Sequence, residues 1–206
     1  YRALLTNTTG ASNTAIGSFA LTTTQTVDNC TAVGYQALEL NVTANNSAFG
    51  KDALFKNTTG SEGVAVGSQA LDANTTGNHN VAVGHAALSL NTTAHDNTAV
   101  GTAAMLKNVA ANGVAIGNDA MRENTTGERN TAVGAYSLTA NTTASNNIAV
   151  GYGALNANTT GTRNVSVGSE ANGLSDTESD NVAIGAFALN NNCAGGIQNV
   201  VIGSYA

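Results

Sequence analysis

The stretch Asn130-Thr131-Ala132-Val133-Gly134 has close variants at twelve places in a chain of 206 residues. Each variant ends in an apolar residue followed by glycine, and successive glycines lie 16 to 18 residues apart: Gly17, Gly34, Gly50, Gly67, Gly84, Gly101, Gly117, Gly134, Gly151, Gly168, Gly185 and Gly203. A fixed short period of this kind is typical of a solenoid. A unit of 17 residues is too short for a pair of helices, whereas one turn of a β-solenoid fits it.

We therefore predict an all-β fold, a parallel β-solenoid of about twelve 17-residue coils, with residues 1–206 forming a single repeat array. The composition agrees with this. Charged residues are only 10% of the chain, aromatic residues 4%, and proline is absent, as expected where most backbone N–H groups bond to a neighbouring coil. Neither end shows a polar capping repeat, so we expect a segment of a longer fibre.

The residue before each glycine is apolar and mostly β-branched, which is typical of a strand side chain in a narrow core. A second apolar column follows four residues after each glycine. We predict that both columns fill the core: Ile16, Val33, Phe49, Val66, Val83, Val100, Ile116, Val133, Val150, Val167, Ile184 and Ile202 in the strand, with Leu71, Leu88, Leu138 and Leu155 opposite them.

Between the β-branched positions runs a column of alanines, which by the period-2 rule points to the opposite face of the strand. A strand facing water would carry larger polar residues there. We therefore predict an oligomer interface formed by Ala15, Ala32, Ala48, Ala65, Ala82, Ala99, Ala115, Ala132, Ala149 and Ala183.

Asparagine recurs in two further columns, one just before each strand and one opening the return turn at Asn57, Asn74 and equivalent positions. Asparagine tolerates left-handed turns, and stacked amides can bond from coil to coil. Several of these residues begin an Asn-Thr-Thr sequence that matches the N-glycosylation acceptor pattern, but turn chemistry is the simpler interpretation. The two cysteines, Cys30 and Cys193, are nine coils apart, so an intrachain disulfide is not expected.

The motifs Asn-Thr-Ala-Val-Gly and Val-Ala-Ile-Gly, the latter at residues 114–117 and 182–185, resemble the head repeats of YadA-type trimeric autotransporter adhesins. The longer unit, which continues into Asn-Thr-Thr-Gly, is also similar to repeats of phage tail fibres. The resemblance implies a left-handed β-roll, a homotrimer, and an extracellular location on a cell surface or virion. It also implies a structural or adhesive role, in which a rigid rod serves attachment to a host glycan or surface receptor.

Other functions stay open at this point. Threonine ladders (Thr8, Thr58, Thr75, Thr92, Thr125, Thr142 and Thr159) suggest an ice- or surface-binding solenoid as an alternative, and uncapped ends suggest end-to-end assembly into a filament. His79, His95 and Asp96 fall on successive coils and could help to hold a metal ion, although solvated turn histidines are the simpler interpretation. The tenth coil replaces its core leucine with Asn172 and carries an acidic return at residues 175–180.

The charge pattern argues against several classes of function. A net charge of −6 and a pI near 4.8 provide no basic footprint for nucleic acid, and no apolar stretch reaches the length of a membrane span. Nucleophile–base pairs and phosphate-binding loops are not evident in the repeat columns. We therefore expect a non-enzymatic protein with no catalytic residues, no cofactor and no metal site.

Overall fold

The computed structural model describes residues 1–190 and 196–206, so Cys193 lies outside the described residues. Within them the chain is an all-β solenoid with twelve parallel three-residue strands, separated by turns, and no helix. No helix of the described ranges could therefore cross a membrane. The predicted fold class is confirmed, and the twelve strands delimit about eleven turns.

The chain divides into two compact units, Tyr1–Ala103 and Ala104–Ala206. The first contains Thr14–Ile16 (β1), Thr31–Val33 (β2), Ser47–Phe49 (β3), Val64–Val66 (β4), Val81–Val83 (β5) and Thr98–Val100 (β6). The second contains Val114–Ile116 (β7), Thr131–Val133 (β8), Ile148–Val150 (β9), Val165–Val167 (β10), Val182–Ile184 (β11) and Val200–Ile202 (β12).

Within each unit every strand pairs in parallel with the next one along the chain, and equivalent residues lie opposite one another. Ala65 pairs with Ala82 in the first unit, for example, and Ala132 pairs with Ala149 in the second. Two further hydrogen-bond ladders join the coils outside the strands: the Leu54 N–H donates to the Ala70 carbonyl (3.0 Å), and the Thr58 N–H to the Thr75 carbonyl (3.0 Å). Each coil is thus held to its neighbours on several sides.

The glycine after each strand marks a corner where consecutive coils approach too closely for a side chain. Gly67 has φ +132°, and a Cβ placed on it would lie 2.5 Å from the carbonyl oxygen of Gly84. Both the left-handed backbone and the missing Cβ are therefore required at this position. This close approach explains the glycine repeat by which the fold was predicted.

The interior of a coil is narrow and is filled from the side opposite the strand. Leu71, Leu88, Leu138 and Leu155 are completely buried, which confirms the leucine half of the predicted core. The small residue before each of these leucines is also buried: alanine at Ala70, Ala87 and Ala154, and serine at Ser137.

The strand half of the predicted core is wrong, because the β-branched column faces outward. Ile16, Phe49, Val66, Ile116, Ile184 and Ile202 are 38% to 70% exposed, and Val33, Val83, Val100, Val133, Val150 and Val167 are half-buried. The period-2 alternation of a strand makes two faces equally regular. Which face points inward is decided here by the small space left beside the leucines.

The predicted alanine interface is wrong for the same reason. Ala32, Ala48, Ala65, Ala82, Ala99, Ala115, Ala132, Ala149 and Ala183 have no exposed surface within the single chain, and Ala15, in the first strand, is half-buried. An alanine fits the narrow space between the strand backbone and the leucines, and only the last strand, β12, carries a larger apolar residue in this column, Val201. The nine fully buried alanines are therefore core residues and cannot contact a second chain.

The asparagine columns complete the interior as two buried hydrogen-bond ladders. In the first ladder the Asn74 Nδ2 donates to the Asn57 Oδ1 (2.8 Å) and to the Gly77 carbonyl (3.0 Å), and the Asn91 Nδ2 donates in turn to the Asn74 Oδ1 (3.0 Å). The second ladder is formed by the asparagines just before each strand. In it the Oδ1 of one asparagine accepts the backbone N–H of the next, as between Asn147 and Asn164 (2.9 Å). The polar interior is thus extensively hydrogen-bonded, as burial requires.

Candidate functional site

The outer strand face is the first candidate site. We use this name for the first and third residues of each strand, which point away from the coil interior. In β4 these are Val64 and Val66, 36% and 38% exposed, and in β9 Ile148 is 43% exposed. Because parallel pairing keeps equivalent residues opposite one another, the face presents two adjoining rows of Val, Ile and Thr side chains in each unit. Soluble monomers rarely expose contiguous apolar patches, and such patches mark interaction sites.

The threonine ladder is bonded to the protein itself. The Thr58 hydroxyl donates to the Thr75 carbonyl (2.9 Å), and the Thr75 hydroxyl to the Thr92 carbonyl (2.9 Å). The same bond recurs in the second unit, where the Thr125 hydroxyl donates to the Thr142 carbonyl (2.8 Å). These hydroxyls stabilise the stacking of coils, so the donors on which an ordered-water surface would depend are already used.

The Asn-Thr-Thr sites do not present accessible acceptors in the folded chain. Asn57, Asn74 and Asn124 are at most 1% exposed, and their Nδ2 groups donate to neighbouring amides and turn carbonyls. Glycosylation would require both bonds to be broken and the side chain to leave the coil. The turn-chemistry interpretation is the one that the geometry supports.

The structure does bring His79, His95 and Asp96 together. The His79 Nδ1 lies 3.1 Å from one Asp96 oxygen, the His95 Nδ1 lies 2.7 Å from the other, and the His79 Nε2 lies 3.5 Å from Glu62. Hydrogen bonds from His95 and then His79 lower the pKa of the Asp96 carboxyl. All of these side chains are well exposed, and none of the described residues forms a group of three or more suited to hold a metal ion.

The His79–Asp96 contact belongs to a longer feature that we call the polar corner, formed by the residue just before the second asparagine ladder in each coil. In the second unit Arg163 occupies this position and donates to both oxygens of Asp180, at 2.6 and 2.8 Å. The Arg163 guanidinium lowers the pKa of Asp180, chiefly through these hydrogen bonds. Side chains at this corner therefore bond from coil to coil on the surface.

The acidic return of the tenth coil does not converge on a cation site. Glu178 is buried and its carboxylate accepts the Thr177 N–H (3.1 Å), whereas Asp176 points to solvent. Asn172 takes the buried leucine position and its Oδ1 accepts the Ser175 hydroxyl (2.5 Å). Leu174, two residues after Asn172, is 54% exposed and does not fill the leucine position.

Cys30 takes a place in the second asparagine ladder. It is a free thiol with no exposed surface, and its Sγ lies 3.3 Å from the Thr43 carbonyl. Burial raises the pKa of this thiol. Both burial and the raised pKa disfavour the reactive thiolate, so Cys30 has a structural role.

A groove in the second unit is the second candidate site, and sequence reasoning did not identify it. The groove has a volume of about 400 Å³ and is lined by Tyr136, Thr139, Tyr152, Gly153, Asn156 and Glu170. The two tyrosine rings meet edge to face with their centroids 5.7 Å apart, and they remain 40% and 56% exposed.

The sequence did contain a signal for this groove. Gly153 stands two residues after Gly151, the glycine that follows β9. We call this position the corner column, and in all the remaining coils it carries a side chain. In a chain with only 4% aromatic residues, two tyrosines on consecutive coils beside that glycine were a second indication. Alignment of the columns for exceptions, rather than for the consensus, would have found the site.

Comparison with known proteins gives no match: no protein-family model, no curated protein and no solved structure is similar to the chain. We therefore infer the function from the geometry of the outer strand face and of the groove.

Proposed function

We propose that this chain is a non-enzymatic structural and adhesive fibre segment that self-associates through its outer strand face, as a homotrimer displayed on a cell surface or virion. The observation that carries the proposal is the apolar outer strand face of each unit, shown by Val64, Val66 and Ile148. Association would remove these side chains from water, with a gain of about 25 cal/mol per Å² of apolar surface buried. The trimeric number is supported by the resemblance of the repeats to trimeric adhesin heads.

The fibre role is supported by the way each coil is stabilised. Strand ladders, turn ladders and buried asparagine ladders all run from one coil to the next, so repeats can be added without a new core design. A surface with few charges and regular side chains suits repetitive contact along such an array. Ice binding is less well supported, because the threonine hydroxyls of the ladder donate to backbone carbonyls.

The test is the mass in solution, measured by light scattering over a dilution series. We expect three times the chain mass of 20.5 kDa for the native protein. The double variant Val66→Lys/Val83→Lys places charges on the outer strand face and should yield a folded monomer, since both side chains point outward. A native chain that is monomeric at micromolar concentration would overturn the proposal.

The matched control is Thr59→Lys/Thr76→Lys. Both threonines are exposed in the return turn, so the variant adds the same charge at the same coil spacing but away from the outer strand face. We expect it to keep the native mass. Dissociation of both double variants would mean that added charge, rather than loss of the apolar face, separates the chains.

A further inference from the structure

We propose that the groove between Tyr136 and Glu170 binds a neutral hexopyranose, as the terminal or internal unit of a glycan. This inference deepens the attachment role proposed above and rests on it, because it names the ligand class. The groove is built by residues of three consecutive coils in the second unit: Tyr136 and Thr139 from one coil, Tyr152, Gly153 and Asn156 from the next, and Glu170 from the third.

The groove exists because one side chain is missing. Along the corner column Tyr136, Gly153 and Glu170 follow one another: the Gly153 N–H donates to the Ala135 carbonyl (3.0 Å) and the Glu170 N–H to the Tyr152 carbonyl (2.8 Å). Since coils stack at about 4.8 Å, Tyr136 and Glu170 stand about two such steps apart with only glycine between them. The resulting gap is wide enough for one sugar ring.

The backbone does not explain the glycine at this position. Gly153 has φ +60°, but the other residues of the corner column adopt φ between +52° and +62° with side chains attached; examples are Ala86, Ala103 and Asp119. A Cβ on Gly153 would meet only the flexible Glu170 Cγ at 3.3 Å and the Asn156 Nδ2 at 3.7 Å. The fold therefore accepts a side chain here, and what glycine contributes is the open groove.

The lining has the chemistry that sugars need. Exposed tyrosine rings offer flat apolar surface for the C–H face of a pyranose, and the Asn156 amide and the Glu170 carboxylate make no hydrogen bond within the described part of the chain. The Thr139 hydroxyl donates to the Asp119 carbonyl (3.1 Å) and can still accept. The groove thus combines donors and acceptors beside an aromatic platform, in the volume range of small-molecule sites.

A quaternary ammonium ligand is the competing occupant, because tyrosines beside a carboxylate can also hold a cation. Cation cages direct several ring faces at one point. Here the rings meet edge to face, so one ring covers part of the other's face and fewer faces are free. The amide and hydroxyl groups also suit hydroxylated ligands better than a methylated cation.

The experiment is saturation-transfer NMR and titration of the full chain with methyl α-D-glucopyranoside, methyl α-D-mannopyranoside and methyl β-D-galactopyranoside, with choline chloride as the cation probe. We expect at least one glycoside to bind with a dissociation constant of roughly 1 mM, the affinity of a small, open site. Gly153→Gln should fill the groove and weaken binding at least tenfold, and Tyr152→Ala should do the same by removing the platform.

The control is Ala86→Gln, which introduces the same side chain in the corner column of the first unit and should leave binding unchanged. Circular dichroism and melting temperature show that each variant is folded. Glycoside binding that is unaffected by Gly153→Gln, binding of choline alone, or binding of none of the probes would each overturn the proposal. The fibre proposal is judged separately by light scattering, so either can fail without the other.

Discussion

Alanine on the inner side of each strand limits the width of the coil. Ala82 has no exposed surface, whereas Val81, the residue before it, points outward and is half-buried. Ala82→Leu must push added methyl groups against the leucine column, and overpacking of this kind costs about 1–3 kcal/mol. We expect the urea midpoint to fall accordingly.

The matched variant Val81→Leu adds bulk to the outer strand face and not to the coil interior, so we expect a clearly smaller fall in the urea midpoint than for Ala82→Leu. Equal losses in the two variants would mean that strand propensity, rather than the space inside the coil, controls stability. A larger loss for Val81→Leu would contradict the inward placement of the alanine.

Each amide of the buried asparagine ladder stabilises the stacking of coils, which the variant Asn74→Asp tests. Asn74→Asp keeps the shape of the side chain but removes the N–H groups that donate to Asn57 Oδ1 and to the Gly77 carbonyl. It also places a carboxyl group where Asn74 is 1% exposed. Each buried group left without a partner costs about 1–3 kcal/mol, so we expect a loss of roughly 3 kcal/mol or more in urea unfolding at pH 7.

The comparison for this variant is Thr76→Ala, two residues away, which removes an exposed side chain from the same turn. We expect its stability to stay within about 0.5 kcal/mol of the native value. If Asn74→Asp were equally mild, the ladder amides would be replaceable by water and would not stabilise the stacking of coils.

Among the coil elements, the polar corner is where pH acts. Arg163 holds Asp180 with two hydrogen bonds and lowers its pKa below the ordinary value of 3.8. Because the folded pKa is the lower one, this stabilisation is complete above the unfolded pKa and is lost as pH falls through the folded pKa. We expect Arg163→Gln to raise the pKa of Asp180 toward 3.8 in a carbon-detected NMR titration.

Arg129→Gln is the control for this titration, since Arg129 lies at the same corner but donates to Asn146 and Glu128. It should leave the Asp180 titration unchanged. A shift of Asp180 in both variants would indicate a general effect of net charge. No shift in either would show that the Arg163 contact does not persist in solution.

The strand elements show what the sequence could and could not predict. The glycine period was sufficient for the solenoid, because Gly67 and its equivalents are required at the corner after each strand, where consecutive coils approach too closely for a Cβ. The leucine column was also predictable, since a large apolar side chain that recurs once in every coil must be removed from water. The orientation of the strands was not predictable, because Ala82 and Val83 alternate with equal regularity. The larger apolar side chain of Val83 suggested that the valine column faces the core, whereas the alanine column does.

The two candidate sites differ in the same way. The outer strand face follows from the consensus once the orientation of the strands is known, because every strand contributes to it. The groove depends on Gly153, a departure from the consensus that matters only when Tyr136 and Glu170 are seen on either side of it. A repeat protein fixes its fold by the residues that recur and can place a specific site where they do not.

For the molecule as a whole, the proposed self-association through the outer strand face would link stability to protein concentration. If folded chains exist mainly as trimers, unfolding releases three chains, and dilution favours the unfolded state by mass action. A hundredfold change in concentration shifts one association step by ~2.7 kcal/mol. Because a trimer forms in two such steps, a hundredfold dilution should lower the free energy of unfolding by roughly 5 kcal/mol per trimer. The measurement is the urea midpoint at protein concentrations a hundredfold apart. Val66→Lys/Val83→Lys should show one midpoint at both, because its chains unfold singly, and a concentration-independent midpoint for the native chain would contradict obligate association.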